Sequence, residues 1–209
     1  MESTLAALRS ILPREYSPNT AAWVSTFGED PVLSLTIRRA PLPRAMEAAL
    51  SSVSARPWDV IKAEEGIDSL MHLAILLTTH RGLSQLEKNV GLGLTFQVLI
   101  DYPEGAEYLS IPLPFRRDTV NNMLNRTQAM MGPDRYFLYD AFDANCQDWV
   151  WSFLTANGLN TPSVEKFVKQ PTQRLVYKAF SPPLQSAMMA YTDARTLFGQ
   201  GGSGVHVDK

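Results

Sequence analysis

A turn-forming run, Asp143-Ala144-Asn145, leads straight into an apolar-periodic segment from Cys146 to Leu154, and this junction constrains the chain more than any other stretch. Asn145 is a good N-cap, because its side-chain oxygen accepts from the free N–H groups of a first helical turn. Cys146 is then the first helical residue, with Val150 and Phe153 following on its face at i+4 and i+7. The helix is expected to stop near Asn157-Gly158. A helix N-terminus carries partial positive charge, which favours thiolate over thiol. The junction therefore offers a nucleophile in an activating position. The plain alternative is a buried structural cysteine at the start of a core helix, since cysteine is among the most buried residue types.

Cys146 is the only cysteine in 209 residues, which excludes an internal disulfide and fits a reducing compartment. The start, Met1-Glu2-Ser3-Thr4, lacks the basic residues and apolar run of a signal peptide. No apolar stretch approaches the ~20 residues that span a bilayer. The expectation is a cytoplasmic protein that is not secreted. Apolar content of 45% and charged content of 19% are those of a globular chain, and a net charge of −2 gives no reason to expect nucleic-acid binding. One Cys and three scattered His offer no metal-ligand spacing. Gly91-x-Gly93 is followed by no helix, so it is no phosphate loop. Neither a metal nor a cofactor is expected.

Residues 2–12 read as a short amphipathic helix or an arm, and Pro13 to Asp30 shows turn formers with little periodicity. The segment 1–30 is thus expected to be an N-terminal arm. Val32 to Ile37 reads as a strand broken by Pro41 and Pro43, and Arg44 to Val53 as a helix with Met46, Leu50 and Val53 on one side. Asp68 to Thr78 is short and apolar, so it reads as a buried strand on which Leu70, His72, Ala74 and Leu76 share a face. A second strand, Leu83 to Val90, puts Gln85, Glu87 and Asn89 on one face and Leu86, Lys88 and Val90 on the other. Leu94 to Ile100 and Glu107 to Ile111 complete an antiparallel meander. Asp118 is expected to cap a helix from Thr119 to Met131, and Tyr136 to Tyr139 to be extended. The predicted class is α+β, an antiparallel sheet packed on helices over residues 31–160.

His72 is an ionisable group inside an apolar strand, and a buried imidazole needs a partner for each ring nitrogen. Backbone carbonyls of a core satisfy that need, and so does a site. Thiol chemistry needs a thiolate, an imidazole within hydrogen-bond reach and a third group that orients the imidazole. A strand histidine, a polar neighbouring strand and a later cysteine helix stand here in circularly permuted papain-like order.

The pairing of His72 with Asn145-Cys146-Gln147 resembles the His-box/Asn-Cys group. That group comprises the lecithin:retinol acyltransferase-like proteins, the related tumour-suppressor phospholipases and picornaviral proteins of the same type, and more distantly the NlpC-type cell-wall peptidases. The wider pattern is similar to uncharacterised proteins of large DNA viruses and virus-derived elements. It consists of Pro41-Leu42 with a short helix, then Met71-His72-Leu73, Leu86-Glu87-Lys88-Asn89 and Asn145-Cys146-Gln147 in order, and covers residues 35–158. The resemblance implies Cys146 as nucleophile and His72 as base, in a thiol hydrolase or acyltransferase acting on an amide, ester or thioester of a small molecule, lipid or peptide. Acyltransferase-like proteins often carry a second histidine on the next strand, which this chain lacks. Glu87 is the first choice for the orienting group, with Gln85 and Asn89 on the same strand face as alternatives. The backbone N–H groups of Cys146 and Gln147 are candidates for an oxyanion hole. The competing function class is an idle virion structural or interaction module.

Pro162 to Gln170, Thr172 to Phe180 and Leu184 to Phe198 each read as a helix, separated by Pro171 and Pro182-Pro183. They are expected either to pack on the domain or to form an extension, 161–198, that binds capsid protein or a membrane surface. Residues 199–209 read as a flexible tail. Leu197-Phe198-Gly199-Gln200-Gly201 resembles the cleavage pattern of adenovirus-type maturation proteases, which would place the chain in the virion or host cytoplasm. A glycine helix stop is the simpler reading.

Overall fold

The computed structural model describes residues 10, 12, 14–89, 91–95 (backbone only), 103–114, 118–140 and 144–187. Its elements in chain order are α1 (Pro18–Phe27), β1 (Ser34–Pro41), α2 (Arg44–Val53), α3 (Trp58–Glu64), β2 (Met71–Thr79), β3 (Gly82–Asn89) and β4 (Gly91–Thr95), then β5 (Glu107–Ile111), α4 (Val120–Met131), α5 (Pro133–Phe137), α6 (Cys146–Ala156), α7 (Pro162–Val168) and α8 (Thr172–Ala179). The class is α+β, as expected.

The five strands form one antiparallel sheet in the order β4-β3-β2-β1-β5. The expected meander holds only for β2, β3 and β4. β5 leaves it and pairs with β1 at the opposite edge, from Leu35–Ile111 to Arg39–Glu107. β1 also runs further than its prolines suggest, with Pro41 opposite Met71. Leu42 N–H donates to Leu70, so the nitrogen of Pro41 faces the other side, where pairing with β5 has already ended at Arg39. A proline is tolerated there because no ladder hydrogen bond is lost.

Leu73, Ile75 and Leu77 of β2 are fully buried on one face of the sheet. They join one core with Trp149, Val150, Phe153 and Leu154 of α6. Each such side chain contributes roughly 1.5–3 kcal/mol by leaving water, so this packing holds the cysteine helix against the histidine strand. β2 and β3 pair only from Thr79–Gly82 to Ile75–Leu86. Beyond that point β2 stays with β1 to Met71, and β3 with β4 to Asn89. The two central strands therefore part at the end that carries His72 and Glu87.

Residues 14–30 are not an arm. Ser17 caps α1 by accepting from Thr20 N–H, Pro18 starts it, and Trp23 is buried in the main core. Tyr16 packs edge-on against Phe137 with ring centroids 5.3 Å apart. The inward face is short, Trp23 with Val24 and Phe27 packed beside it, and lies among turn formers and polar residues. Two boundaries also move. Thr119, not Asp118, caps α4 by accepting from Asn122 N–H, and Asp118 instead accepts from Thr119 N–H. Of the stretch 136–139 expected to be extended, Tyr136 and Phe137 instead end a short helix, because Gly132 turns the chain at φ 74° and Pro133 suits a first helical position, while Leu138 is extended.

The 161–198 segment does not stand apart where it is described. Val164 and Val168 of α7 enter the main core. Leu175, Val176 and Ala179 of α8 pack with Trp58 and Ile61 of α3 in a second cluster. By contrast α2, found where expected, buries none of its residues, and Met46 and Val53 are about half exposed. Residues 2–9, the strand expected beyond Thr95, most of the Leu184–Phe198 helix and the 199–209 tail with its Leu197–Gly201 pattern lie outside the described residues.

Candidate functional site

Asn145 begins α6 as its sequence suggests. Its Oδ1 accepts from Gln147 N–H at 2.8 Å and Asp148 N–H at 3.2 Å, while Asp148 Oδ2 accepts from Asn145 N–H at 3.3 Å. This reciprocal capping box fixes the entry of the helix. Just upstream, Asp140 and Ala144 exchange backbone hydrogen bonds of 3.3 and 3.2 Å, which closes the chain before the cap. Cys146 follows as the first helical residue.

The structure brings Cys146, His72 and Glu87 together. His72 Nε2 and Glu87 Oε2 are 2.9 Å apart. The Cys146 side chain is the other group that acts on the same ring. With Nε2 taken by the carboxylate, Nδ1 is the nitrogen left for the sulfur. Burial opposes charge on the ring, but the hydrogen bonds to Cys146 and Glu87 and the attraction of both groups outweigh it and push His72 up to about 10. Glu87 is buried too, yet its hydrogen bond to His72 and the nearby charges of His72 and Arg38 hold its carboxyl below the ordinary value. Together these interactions favour the protonated imidazole.

Of the three candidates for orienting His72, Glu87 is the one in contact with the ring. Asn89 acts on Glu87 rather than on the ring and helps to hold its carboxyl down. Gln85 lies opposite Leu76, a full pleat along the strand. The expected oxyanion hole is corrected in part: Gln147 N–H is consumed by the Asn145 cap. The same cap that starts the helix removes that donor, which leaves the Cys146 N–H outside the cap.

Two residues that sequence reasoning missed complete the surroundings. Gln170, in the α7–α8 connection, accepts from Met71 N–H at 2.9 Å and donates from Nε2 to Ser69 O at 3.0 Å. It also pairs with Gln147, which is 4% exposed. The start of β2 and the first turn of α6 are thereby tied to one loop. Lys88, on the core-facing side of β3, is fully buried, and its Nζ donates to Arg135 O. Burial pushes its ammonium down to about 7, against the attraction of Asp148, Asp140 and Cys146. Its place on the Leu86 face was readable from strand alternation, but its complete burial was not.

An open cleft of about 200 Å³ lies beside the first turn of α6, lined by Gln147, Asp148, Lys169, Gln170 and the residues that begin α8. Cys146 itself is 6% exposed and does not line that cleft. Among the described residues no helix is long and apolar enough to cross a membrane. Compared with protein-family models, with curated proteins and with solved structures, the chain matches none.

Proposed function

We propose that the chain is a papain-like thiol hydrolase or acyltransferase of permuted order, acting on an amide, ester or thioester. The observation that supports this reading is the single imidazole of His72, held by Glu87 at 2.9 Å and acted on by Cys146 as well. A core histidine needs partners, but backbone carbonyls serve that purpose without assembling a thiol and a carboxylate on one ring.

In this reading the Cys146 thiolate attacks the carbonyl carbon and a C–S bond forms. The carbonyl oxygen takes the negative charge, facing the Cys146 N–H at the positive end of α6. His72 gives its proton to the leaving nitrogen, oxygen or sulfur as the bond to it breaks. Water or an acceptor then loses a proton to His72 and attacks the thioester, and the C–S bond breaks to restore the thiolate. Glu87 holds the imidazole in orientation and stabilises its charged form throughout.

A second reading has its own support. The thiol is 6% exposed and packed in the same core as Trp149 and Phe153, as in a structural cysteine. On that reading the chain is an idle member that serves as an interaction module. A fluorescent acyl electrophile distinguishes the two. Labelling of wild type at Cys146, lost in Cys146→Ser and strongly slowed in His72→Ala, supports the enzyme. Equal labelling of wild type and His72→Ala, or none in either, supports the module.

A further inference from the structure

The thiol reading leaves the substrate open between a small molecule, a lipid and a peptide, and the cleft beside the first turn of α6 bears on that choice. Gln147, the residue after the nucleophile, lines it. Neighbouring Cα atoms are about 3.8 Å apart, close to the span of one extended peptide residue, so a chain drawn over Cys146 comes alongside the cleft within a residue or two. The cleft's volume of about 200 Å³ is below the ~300–1,000 Å³ of sites that enclose a whole ligand, so it suits one side chain. The lining is three glutamines, a threonine, a proline, Asp148, Lys169 and Arg174, with no aliphatic or aromatic side chain. A fatty acyl chain gains by leaving water for apolar surface, and here only Pro171 offers any.

The charges of the lining are positive in balance. Asp148 is its single acid, and Asp148 Oδ2 already accepts from Asn145 N–H. Burial raises that carboxyl, against the bond from Asn145 and the attraction of Arg135, Lys169 and Lys88. Lys169 Nζ lies 5.0 Å over the Trp151 ring and 3.7 Å from Glu165, in a pair exposed enough to be weak. Arg174 has no ionic or hydrogen-bonded partner among the described residues. The excess extends beyond the cleft. From Pro162 to Ala179 the chain carries Lys166, Lys169, Arg174 and Lys178 against Glu165 alone, in a protein of net charge −2. Lys178 is taken up by Glu64 and Glu65, whereas Lys169 and Arg174 line the cleft.

We propose that this cleft is the subsite for an acidic side chain of the substrate, which makes the substrate an acidic peptide with an Asp or Glu carboxylate set between Arg174 and Lys169. A guanidinium fork takes a carboxylate through two parallel hydrogen bonds, and an ammonium adds a point charge. The carboxamides of Gln147 and Gln170 are bonded to each other, so they wall the cleft and leave the two cations to recognise the ligand. That the peptide is a substrate rests on the thiol reading above, whereas its binding in the cleft is tested without the thiol.

The experiment uses the full chain at fixed ionic strength and three chloroacetamide probes. One is a fluorescent pentapeptide with the electrophile on its central side chain and Glu on either side of it. The second is its twin with Gln in place of Glu, and the third carries a dodecyl chain instead of the peptide. The expected result is that the Glu peptide labels Cys146 about tenfold faster than either of the others, the worth of one charge-assisted contact. Lys169→Gln combined with Arg174→Gln should abolish that preference, and Arg174→Glu should favour the Gln twin. Chloroacetamide itself should label these variants as fast as wild type, since neither residue touches the thiol or the imidazole. Equal rates for the two peptides in wild type, a preference that survives the double variant, or fastest labelling by the dodecyl probe overturns the proposal. Fluorescence anisotropy with the same peptides lacking the electrophile separates the two readings. Tighter binding of the Glu peptide to Cys146→Ser, lost on Arg174→Glu, keeps the cleft as an acidic-peptide site even where Cys146 of wild type labels with nothing and the thiol reading fails. Binding that is equal for both peptides, or absent, overturns the cleft whatever the thiol does.

Discussion

Gln147 and Gln170 hold each other at both ends: Gln170 N–H donates to Gln147 Oε1 at 2.8 Å, and Gln147 Nε2 donates to Gln170 Oε1 at 3.2 Å. The second oxygen also takes Met71 N–H, next to His72. This glutamine pair is thus a splint between the cysteine helix and the histidine strand. Gln170→Ala removes the acceptor of Met71 N–H and of Gln147 Nε2 and the donor to Ser69 O, while the backbone N–H of residue 170 keeps its bond to Gln147 Oε1. The expected loss is on the order of 1–3 kcal/mol in unfolding free energy, read by denaturant titration. Alkylation of Cys146 should slow at the same time, since the thiol and imidazole are no longer held in register. An unchanged alkylation rate in a destabilised variant would confine Gln170 to stability alone.

Glu87 and Asn89 separate orientation from support. Glu87→Gln keeps the size and a hydrogen-bonding atom near His72 but removes the charge that favours imidazolium. Alkylation of Cys146 at pH 6.5 should fall by about tenfold or more, in keeping with the loss of a charge-assisted hydrogen bond. Asn89→Ala, which acts on Glu87 rather than on His72, should cost much less. Iodoacetamide kinetics across the two variants decides the order. An effect of Asn89→Ala equal to that of Glu87→Gln would move the orienting role outward.

How much of this was legible in the chain depends on the range of the contact. The start of α6 is a local matter, since Asn145 and Asp148 cap within a single turn. The His72 strand is announced by its apolar run, and Glu87 follows once period-two alternation puts it on the right face. Gln170 is different, because its side-chain partners lie 23, 99 and 101 positions away and two of them are backbone groups that leave no mark in side-chain pattern. Lys88 reads on a strand as one more charged residue, and only the closure of α5 and α6 over it makes it buried. β5 carries no signal for which edge it joins; its pairing with β1 is set by the three-dimensional course of the chain between them.

His72 makes stability depend on pH in a defined window. Its folded value, about 10, lies above the ordinary 6.5, so the native state holds the proton more tightly than the unfolded chain. The stabilisation is complete below about pH 6.5 and declines as pH rises toward 10. The difference in unfolding free energy between wild type and His72→Gln should therefore be largest near pH 6 and shrink steadily in alkaline buffer. A difference that is flat from pH 6 to 10 would mean that the ring is held neutral, and with it the imidazolium partner of the thiol would be lost.

Lys88 acts in the opposite sense. Its folded value is about 7, below the ordinary 10.5, so over that interval the unfolded chain binds the extra proton. Stability contributed through Lys88 rises with pH from about 7 to 10.5, and the charged, buried ammonium is a cost below that range. Lys88→Met removes the titration together with the hydrogen bond to Arg135 O. The absolute difference between the two proteins mixes a relieved charge with an orphaned carbonyl, each worth ~1–3 kcal/mol. The pH dependence of that difference does not, because methionine has no proton to lose. Denaturant titrations at pH 6, 8 and 10 should show the balance moving toward wild type as pH rises. Movement toward Lys88→Met would mean that Asp140 and Asp148 keep the ammonium charged inside the protein. Lys88 would then be a fixed counter-cation at the first turn of α6.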